Sequence, residues 1–252
     1  MKLDLSNRTA VVTGGTGAIG REVSAALAAA GAKVVAVCLP SDRVAAEALL
    51  PAWQAQGYAI AITAFDVANT EDSAASLATL QGQHGAIDIV VNCAGITRDA
   101  PLRKMSAQQW QQVLRVNLDS LFNVTQPLIE AMCQRGWGRV VNISSVNGQK
   151  GQFGQTNYSA SKAGVHGFTM ALAQEVARKG VTVNTVAPGY IDSPMIAAVP
   201  EAIRGEILKS IPAARYGSPA DIAAAVTFLC SPQASYITGA QLPVNGGLYM
   251  SA

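Results

Sequence analysis

The chain has 252 residues, 50% of them hydrophobic and only 13% charged, a balance that can bury a large core and excludes a disordered chain. Its net charge is +2, and Lys and Arg are scattered rather than clustered or interleaved with aromatics, which argues against a nucleic-acid partner. No apolar run reaches the ~18 residues of a membrane span without a charge interrupting it.

Taken in chain order, TAVVT from Thr9 reads as a first strand and runs into TGGTGAIGREVSAALAAAG, a glycine-rich turn opening a helix. KVVAV from Lys33, AIAIT from Ala59 and IDIVVN from Ile87 read as the next three strands, with helix-like segments between them. RVVNIS from Arg139 is the fifth strand and VTVNTVA from Val181 the sixth, separated by the long helical run YSASKAGVHGFTMALAQEVARKG. Pro188, Pro194, Pro200, Pro212 and Pro219 then break the rhythm around a short helix, EAIRGEILKS. PADIAAAVTFLCS reads as a last helix and QLPVN as a last strand.

Strand and helix in alternation mean parallel β with crossover helices, and continuous apolar runs mean strands covered on both faces. The expected fold is therefore one α/β domain over residues 1–252, a Rossmann-type doubly wound parallel sheet flanked by helices. Residues 190–217, a long excursion after the sixth strand, are expected to form a substrate lid.

The start, MKLDLSNRTAVV, has no unbroken apolar core of a signal peptide, so a cytoplasmic location is expected. Cys38, Cys93, Cys133 and Cys230 are widely spaced, and the only histidines are His84 and His166. Free thiols, with neither a metal site nor a disulfide framework, are the expected state.

A glycine-rich turn after a first strand and before a helix lets the backbone approach a pyrophosphate, whose charge the helix N-terminus favours. Gly14, Thr16, Gly17, Ala18, Ile19 and Gly20 are the candidate contacts of a dinucleotide. At the end of the second strand a carboxylate would bind the adenosine ribose hydroxyls and repel a 2′-phosphate. Cys38 stands there, with Ser41 and Arg43 just beyond, which favours NADPH/NADP+. The alternative is that Arg43 is only a solvated residue at a helix start.

Ser144 and Ser145 fall at the C-terminal end of the fifth strand, the side of such a sheet where ligands bind. Tyr158 and Lys162 are four apart on the long helix and share a face. Reducing a ketone by hydride transfer requires a proton for the developing alkoxide, and an adjacent ammonium is expected to lower the phenol's pKa toward neutrality. A serine hydroxyl at the same oxygen completes a small oxyanion site.

Ser145, thirteen residues before a Y-x-x-x-K pair and downstream of T-G-x-x-x-(G/A)-x-G, resembles the short-chain dehydrogenase/reductase family over essentially the whole chain. Two positions depart from the family pattern: Ala18 replaces the second glycine, and Cys93 gives N-C-A-G in place of N-N-A-G. The resemblance implies catalytic roles for Asn117, Ser145, Tyr158 and Lys162, with Asn117 kinking its helix and holding a water linked to Lys162. It implies further cofactor contacts at Asp66 and Val67, at Asn92, Ala94 and Gly95, and at Pro188, Gly189, Ile191 and Ser193, besides Tyr158 and Lys162 themselves. Spacing selects Ser145 over Ser144, which is expected to make a neighbouring backbone or cofactor contact. His166 is expected to be packed or partly exposed rather than catalytic.

Within the family, AGITRD and above all GQKGQFGQTNY resemble the acetoacetyl-CoA reductases of polyhydroxybutyrate-forming bacteria. That likeness implies reduction of acetoacetyl-CoA, or another short 3-oxoacyl thioester, to the (R)-3-hydroxyacyl product. Asp99, Gln152, Phe153, Gln155, Thr156 and Tyr190, with Ser145 and Tyr158, are the candidate substrate residues; the alternative for the loop is a set of solvated amides. Two other functions stay open: reduction of 3-oxoacyl groups on an acyl carrier protein, with Lys179 as a basic residue beside the entrance, and a non-catalytic NADPH-binding sensor. A homotetramer is implied by the family alone.

Overall fold

Thr9–Thr13 forms β1 and is buried along its whole length, because Val11 and Val12 face opposite layers and each meets an apolar face. In the computed structural model, which describes residues 3–192, 196 and 201–250, β1 is followed by α1 (Ala18–Ala29) and β2 (Lys33–Cys38). Next come α2 (Arg43–Glu47), α3 (Leu50–Ala55), β3 (Ile60–Ala64), α4 (Thr70–His84) and β4 (Ile89–Asn92). A nearly continuous helical stretch follows, made of α5 (Ala107–Leu114), a π-helical turn (Arg115–Asp119) and α6 (Ser120–Arg135). β5 (Gly138–Ile143), α7 (Val146–Lys150), α8 (Thr156–Val176) and β6 (Val181–Pro188) carry the chain to α9 (Glu201–Ser210), α10 (Pro219–Cys230) and β7 (Gln241–Val244).

The strands lie in the order β3-β2-β1-β4-β5-β6-β7, and every pairing is parallel. This is the doubly wound sheet expected from the alternating pattern. Its order reverses between β1 and β4, which opens a crevice at the strands' C-terminal ends. One face is covered by α1 and α10 through Val23, Leu27, Ile222 and Val226, the other by α4, α6 and α8 through Leu77, Leu128 and Val176. Each fully buried Leu or Val of these layers stabilises the fold by ~1.5–3 kcal/mol.

A polar row crosses this apolar sheet just below the crevice. Asn92 and Asn142 are register partners on β4 and β5, and Asn142 is the partner of Thr185 on β6. The Asn92 amide donates to Asn142 Oδ1 at 2.8 Å and to Thr125 Oγ1 at 3.2 Å, and the Asn142 amide donates to Thr169 Oγ1 at 2.9 Å. Thr169 and Thr185 hydroxyls lie 2.7 Å apart, so the chain of buried groups is satisfied from strand to strand and out to α8.

No helix among the described residues is long and apolar enough to cross a membrane. The four cysteines are free thiols.

Candidate active site

The turn between β1 and α1 is closed by its glycines. Gly14 has a left-handed φ of +60°, and a Cβ on Gly15 would lie 2.6 Å from the Val12 carbonyl oxygen. A Cβ on Gly20 would collide with the Gly14 carbonyl. Gly17 caps α1 with no side-chain hydrogen bond, so the first N–H groups of this 12-residue helix point into the crevice with no capping side chain. Thr13 Oγ1 accepts from the amides of Cys93 and Ala94 at 3.0 and 3.2 Å, which ties the end of β4 to the end of β1. These features fit the phosphates of a dinucleotide, with Thr16, Ala18 and Ile19 half-buried along the turn.

Beyond β2 the polar side chains expected near a 2′-phosphate pair with neighbouring carboxylates. Arg43 is the first residue of α2 and exposed, and its Nε donates to Glu47 Oε1 at 2.9 Å. Ser41 Oγ donates to Asp42 Oδ1 at 2.9 Å. Burial raises the Cys38 thiol pKa, and the carboxylates of Asp42 and Glu47 raise it further while Arg43 lowers it. The expected guanidinium of Arg43 is present, paired with Glu47 on this short helical turn.

At the end of β3, Asp66 Oδ1 accepts from the Ala68 amide at 2.9 Å, and the Val67 carbonyl accepts from Asn123 Nδ2 at 3.0 Å. Asn92 is buried and its amide is spent inside the sheet on Thr125 and Asn142, so its side chain does not offer itself to a ligand. Ala94 and Gly95 continue the backbone past it, and a Cβ on Gly95 would lie 3.4 Å from both Asn117 Oδ1 and Lys162 Nζ. Asn117 therefore stands close to Lys162, as the spacing could not have shown.

Asn117 sits in the π-helical turn, the local irregularity that the expected kink amounts to. Its Oδ1 accepts from the Ile96 amide at 2.8 Å, and its Nδ2 donates to the Ile96 carbonyl at 3.0 Å and to Ser161 Oγ at 3.2 Å. Ser161, which sequence reasoning missed, donates in turn to the Tyr158 carbonyl at 2.7 Å.

Ser145 caps α7 and accepts from the Asn147 amide at 3.1 Å, and its hydroxyl is near enough to the Tyr158 phenol to lower that group's pKa. Ser144 Oγ donates to the Lys162 carbonyl at 2.8 Å, the backbone role expected of it. Lys162 is buried; its Nζ donates to the Ile143 carbonyl at 2.7 Å and lies 5.8 Å from the Tyr158 ring centre.

Burial pushes the Tyr158 phenol above its ordinary value of 10.0; the Ser145 hydroxyl pulls it down, and Asp99 and Cys93 push it up. Burial also disfavours the charge of Lys162 and brings its pKa from 10.5 to about 8. Desolvation also raises the Cys93 thiol to about 11, with the Lys162 charge opposing it. His166 is buried, lies one turn beyond Lys162, and is lowered by burial and then by the Lys162 charge.

The candidate substrate residues divide into two groups. Gln155 links Asp99 to Asn147, donating to Asp99 Oδ2 at 2.8 Å and accepting from Asn147 Nδ2 at 2.9 Å, so Asp99 and the Ser145 helix are held together. Gln152 accepts from Lys150 Nζ at 3.2 Å, and Thr156 opens α8 with its hydroxyl 3.7 Å from Met105 Sδ. Phe153 is 86% exposed between Gly151 and Gly154, both at positive φ. Tyr190 instead lines a cavity of about 100 Å³ with Ile191, Ile211, Arg215, Asp221 and Asn245, apart from the Ser145 and Tyr158 group.

Pro188 ends β6, and the Gly189 amide donates to the Val244 carbonyl at 3.0 Å. Ile191 is buried and bridges to Gly217, whereas Ser193 and part of the 190–217 segment lie outside the described residues. Within it EAIRGEILKS forms α9 as expected. Lys179 precedes β6 at the strands' N-terminal ends, beside Gly136 and Trp137, so within one chain it lies at the far end of the sheet from Tyr158.

A family model described as enoyl-(acyl carrier protein) reductase matches residues 15–249. The chain is 53% identical to an acetoacetyl-CoA reductase of Allochromatium vinosum, covering 96% of this chain and 99% of that protein. It is 48% identical to an acetoacetyl-CoA reductase of Cupriavidus necator, over 98% and 100% of the two. Identity to the 3-oxoacyl-[acyl-carrier-protein] reductase FabG of Vibrio harveyi is 43%, over 98% and 100%. With a glycine turn, a serine, and a Y-x-x-x-K pair gathered at one edge of a doubly wound sheet and matched at full length by these relatives, the chain belongs to the short-chain dehydrogenase/reductase family.

Proposed function

We propose that this protein reduces acetoacetyl-CoA with NADPH to (R)-3-hydroxybutyryl-CoA, the monomer-forming step of polyhydroxybutyrate synthesis. It is an oxidoreductase that uses a nicotinamide cofactor and acts on a 3-oxoacyl thioester, in line with the family and with the names of its relatives. The observation that carries the reading is that Ser145, just past the C-terminal end of β5, stands near enough to the Tyr158 phenol to lower its pKa, with Lys162 Nζ 5.8 Å from the same ring's centre.

NADPH, when bound, supplies the hydride. The turn residues Gly14, Thr16, Gly17, Ala18, Ile19 and Gly20 would hold its pyrophosphate, Asp66 and Val67 its adenine, and Ala94, Gly95, Pro188, Gly189, Ile191 and Ser193 the rest of its length. Tyr158 gives its phenolic proton to the 3-oxo oxygen as that oxygen gains negative charge. Ser145 donates to the same oxygen and shares the charge. Lys162 fixes the nicotinamide ribose and, through Asn117 beside it, passes protons toward the phenolate left on Tyr158. Asp99, Gln152, Phe153, Gln155 and Thr156 receive the acyl thioester, and Tyr190 joins them from the lid.

The second reading, reduction of the same group on acyl carrier protein, is supported by the 43% identity to FabG and less so by Lys179, which in this chain stands away from Tyr158. A sensor that only binds NADPH leaves the Ser145 and Tyr158 pair without a role. We take the working form to be a cytoplasmic homotetramer; exposed Phe122 on α6 and Met170 on α8 offer apolar surface for such contacts.

The test is NADPH consumption with acetoacetyl-CoA and with acetoacetyl carrier protein. Faster turnover of the CoA ester is expected. Preference for the carrier would install the second reading, and tight NADPH binding without turnover of either ester would install the sensor.

A further inference from the structure

Arg43 is the one cation near the end of β2 that could meet a 2′-phosphate among the residues singled out there, and it is bound to Glu47. The contact is made through Nε alone, so the guanidinium's outer amino groups stay available. Two effects of Glu47 then oppose each other. As a brace it holds Arg43 in one rotamer, but both side chains are well exposed, at 61% and 47%, and an exposed i,i+4 pair holds weakly. As a charge it places a carboxylate a few ångströms from wherever Arg43 would put a phosphate carrying about two negative charges, and repulsion at that range outweighs so weak a brace.

Asp42 adds to the same side of the balance. Both carboxylates are felt at Cys38, in the position where a ribose-binding acid would otherwise stand. The end of β2 thus holds one guanidinium against two carboxylates, and neither carboxylate belongs to the strand end itself.

We infer that Glu47 is a specificity-determining residue that tempers Arg43 and keeps this protein's preference for the 2′-phosphorylated dinucleotide small. The inference rests on the nicotinamide-dinucleotide reading and deepens it. NADH is then accepted as well, at a modest disadvantage, and removing one negative charge at position 47 sharpens the choice without touching the reacting atoms.

The experiment compares binding of adenosine 2′,5′-bisphosphate and of 5′-AMP by calorimetry, with no turnover involved, in the wild type, Glu47→Gln, Arg43→Ala and the double variant. In the wild type the bisphosphate is expected to bind no more than about tenfold tighter than 5′-AMP. Glu47→Gln should tighten the bisphosphate by about three- to tenfold, leave 5′-AMP unchanged, and lose its gain in the Arg43→Ala background. The gain should shrink with added salt, since the groups are exposed. Weaker bisphosphate binding in Glu47→Gln would make Glu47 a brace and overturn the inference, as would an unchanged ratio of the two affinities. Failure of both nucleotides to bind the wild type would instead overturn the dinucleotide reading on which it rests.

Discussion

Lys162 Nζ lies 2.7 Å from the carbonyl oxygen of Ile143, the last residue of β5, in a buried position where no carboxylate among the described residues acts on its charge. A main-chain dipole is a weak partner for an ammonium, and burial accordingly lowers this pKa from 10.5 to about 8.

The sign of the resulting pH dependence follows from proton counting. Between about 8 and 10.5 the unfolded chain holds more protons on this amine than the folded one, so stability rises with pH across that window. Below it the cost of burying the charge is fully present, on the order of 3 kcal/mol. Urea unfolding at pH 7 and at pH 9.5 should show the wild type gaining on Lys162→Met as pH rises. Parallel responses of the two proteins would rule the buried charge out.

Tyr158→Phe removes the proton and leaves the ring in place. Turnover should fall by at least about 100-fold, while nucleotide binding is retained. Ser145→Ala removes the contact that lowers the phenol's pKa and should slow turnover too. Near-normal rates in the Phe variant, measured by NADPH consumption, would displace Tyr158 as the acid.

Gly20→Ala puts a methyl group into the Gly14 carbonyl, a collision with rigid backbone on both sides. We expect destabilisation of about 1–3 kcal/mol from overpacking and a marked loss of nucleotide affinity. Thermal melting with and without nucleotide reads both, and a variant that still gains stability from nucleotide as the wild type does would contradict the role of the turn.

Phe153 is 86% exposed, so Phe153→Ala should leave unfolding unchanged. If the loop receives the acyl chain, the Michaelis constant for acetoacetyl-CoA rises several-fold in this variant and in Gln152→Ala. Unaltered kinetics would remove both residues from the substrate site.

The capping box at the start of α10 supplies a prediction far from the crevice. Asp221 accepts from the Ser218 amide at 2.7 Å and pairs with Arg215 at 2.8 Å, which holds its carboxyl well below the usual range. Asp221→Ala should cost about 1 kcal/mol in urea unfolding at neutral pH. Because the folded pKa is depressed, this contribution is present above the ordinary carboxylate value and fades as the medium becomes more acid, so wild type and variant should converge there.

Much of the sheet was legible because apolar runs bounded by charge or glycine leave little choice of strand, and TAVVT became β1 without a residue's difference. The grouping of Ser145, Tyr158 and Lys162 could be read as well, since strand ends and an i,i+4 helix face are local geometry. Three features could not be read. Asn92 turns its amide sideways into the sheet because register, a tertiary property, sets Asn142 beside it. The direction of the Tyr158 pKa depends on how deeply the phenol and Lys162 are buried, which spacing does not carry. Tyr190 follows the expected strand, yet the cavity it lines is closed by Ile211, Arg215 and Gly217 between α9 and α10, by Asp221 of α10 and by the end of β7. Thr13 did leave a signal, the threonine before the glycine turn, whose hydroxyl holds the Cys93 and Ala94 amides.

The polar row from Asn92 through Asn142 and Thr169 to Thr185 constrains how this protein can change over generations. Replacing any one member by an apolar residue takes one hydrogen-bond partner from its neighbour in a dry interior, a loss of about 1–3 kcal/mol that the next replacement would have to repair. Single-step descent is therefore blocked at these four positions even though an all-apolar row could be as stable as the present one. The strands beneath the crevice are held to their present alignment by the difficulty of leaving it one residue at a time.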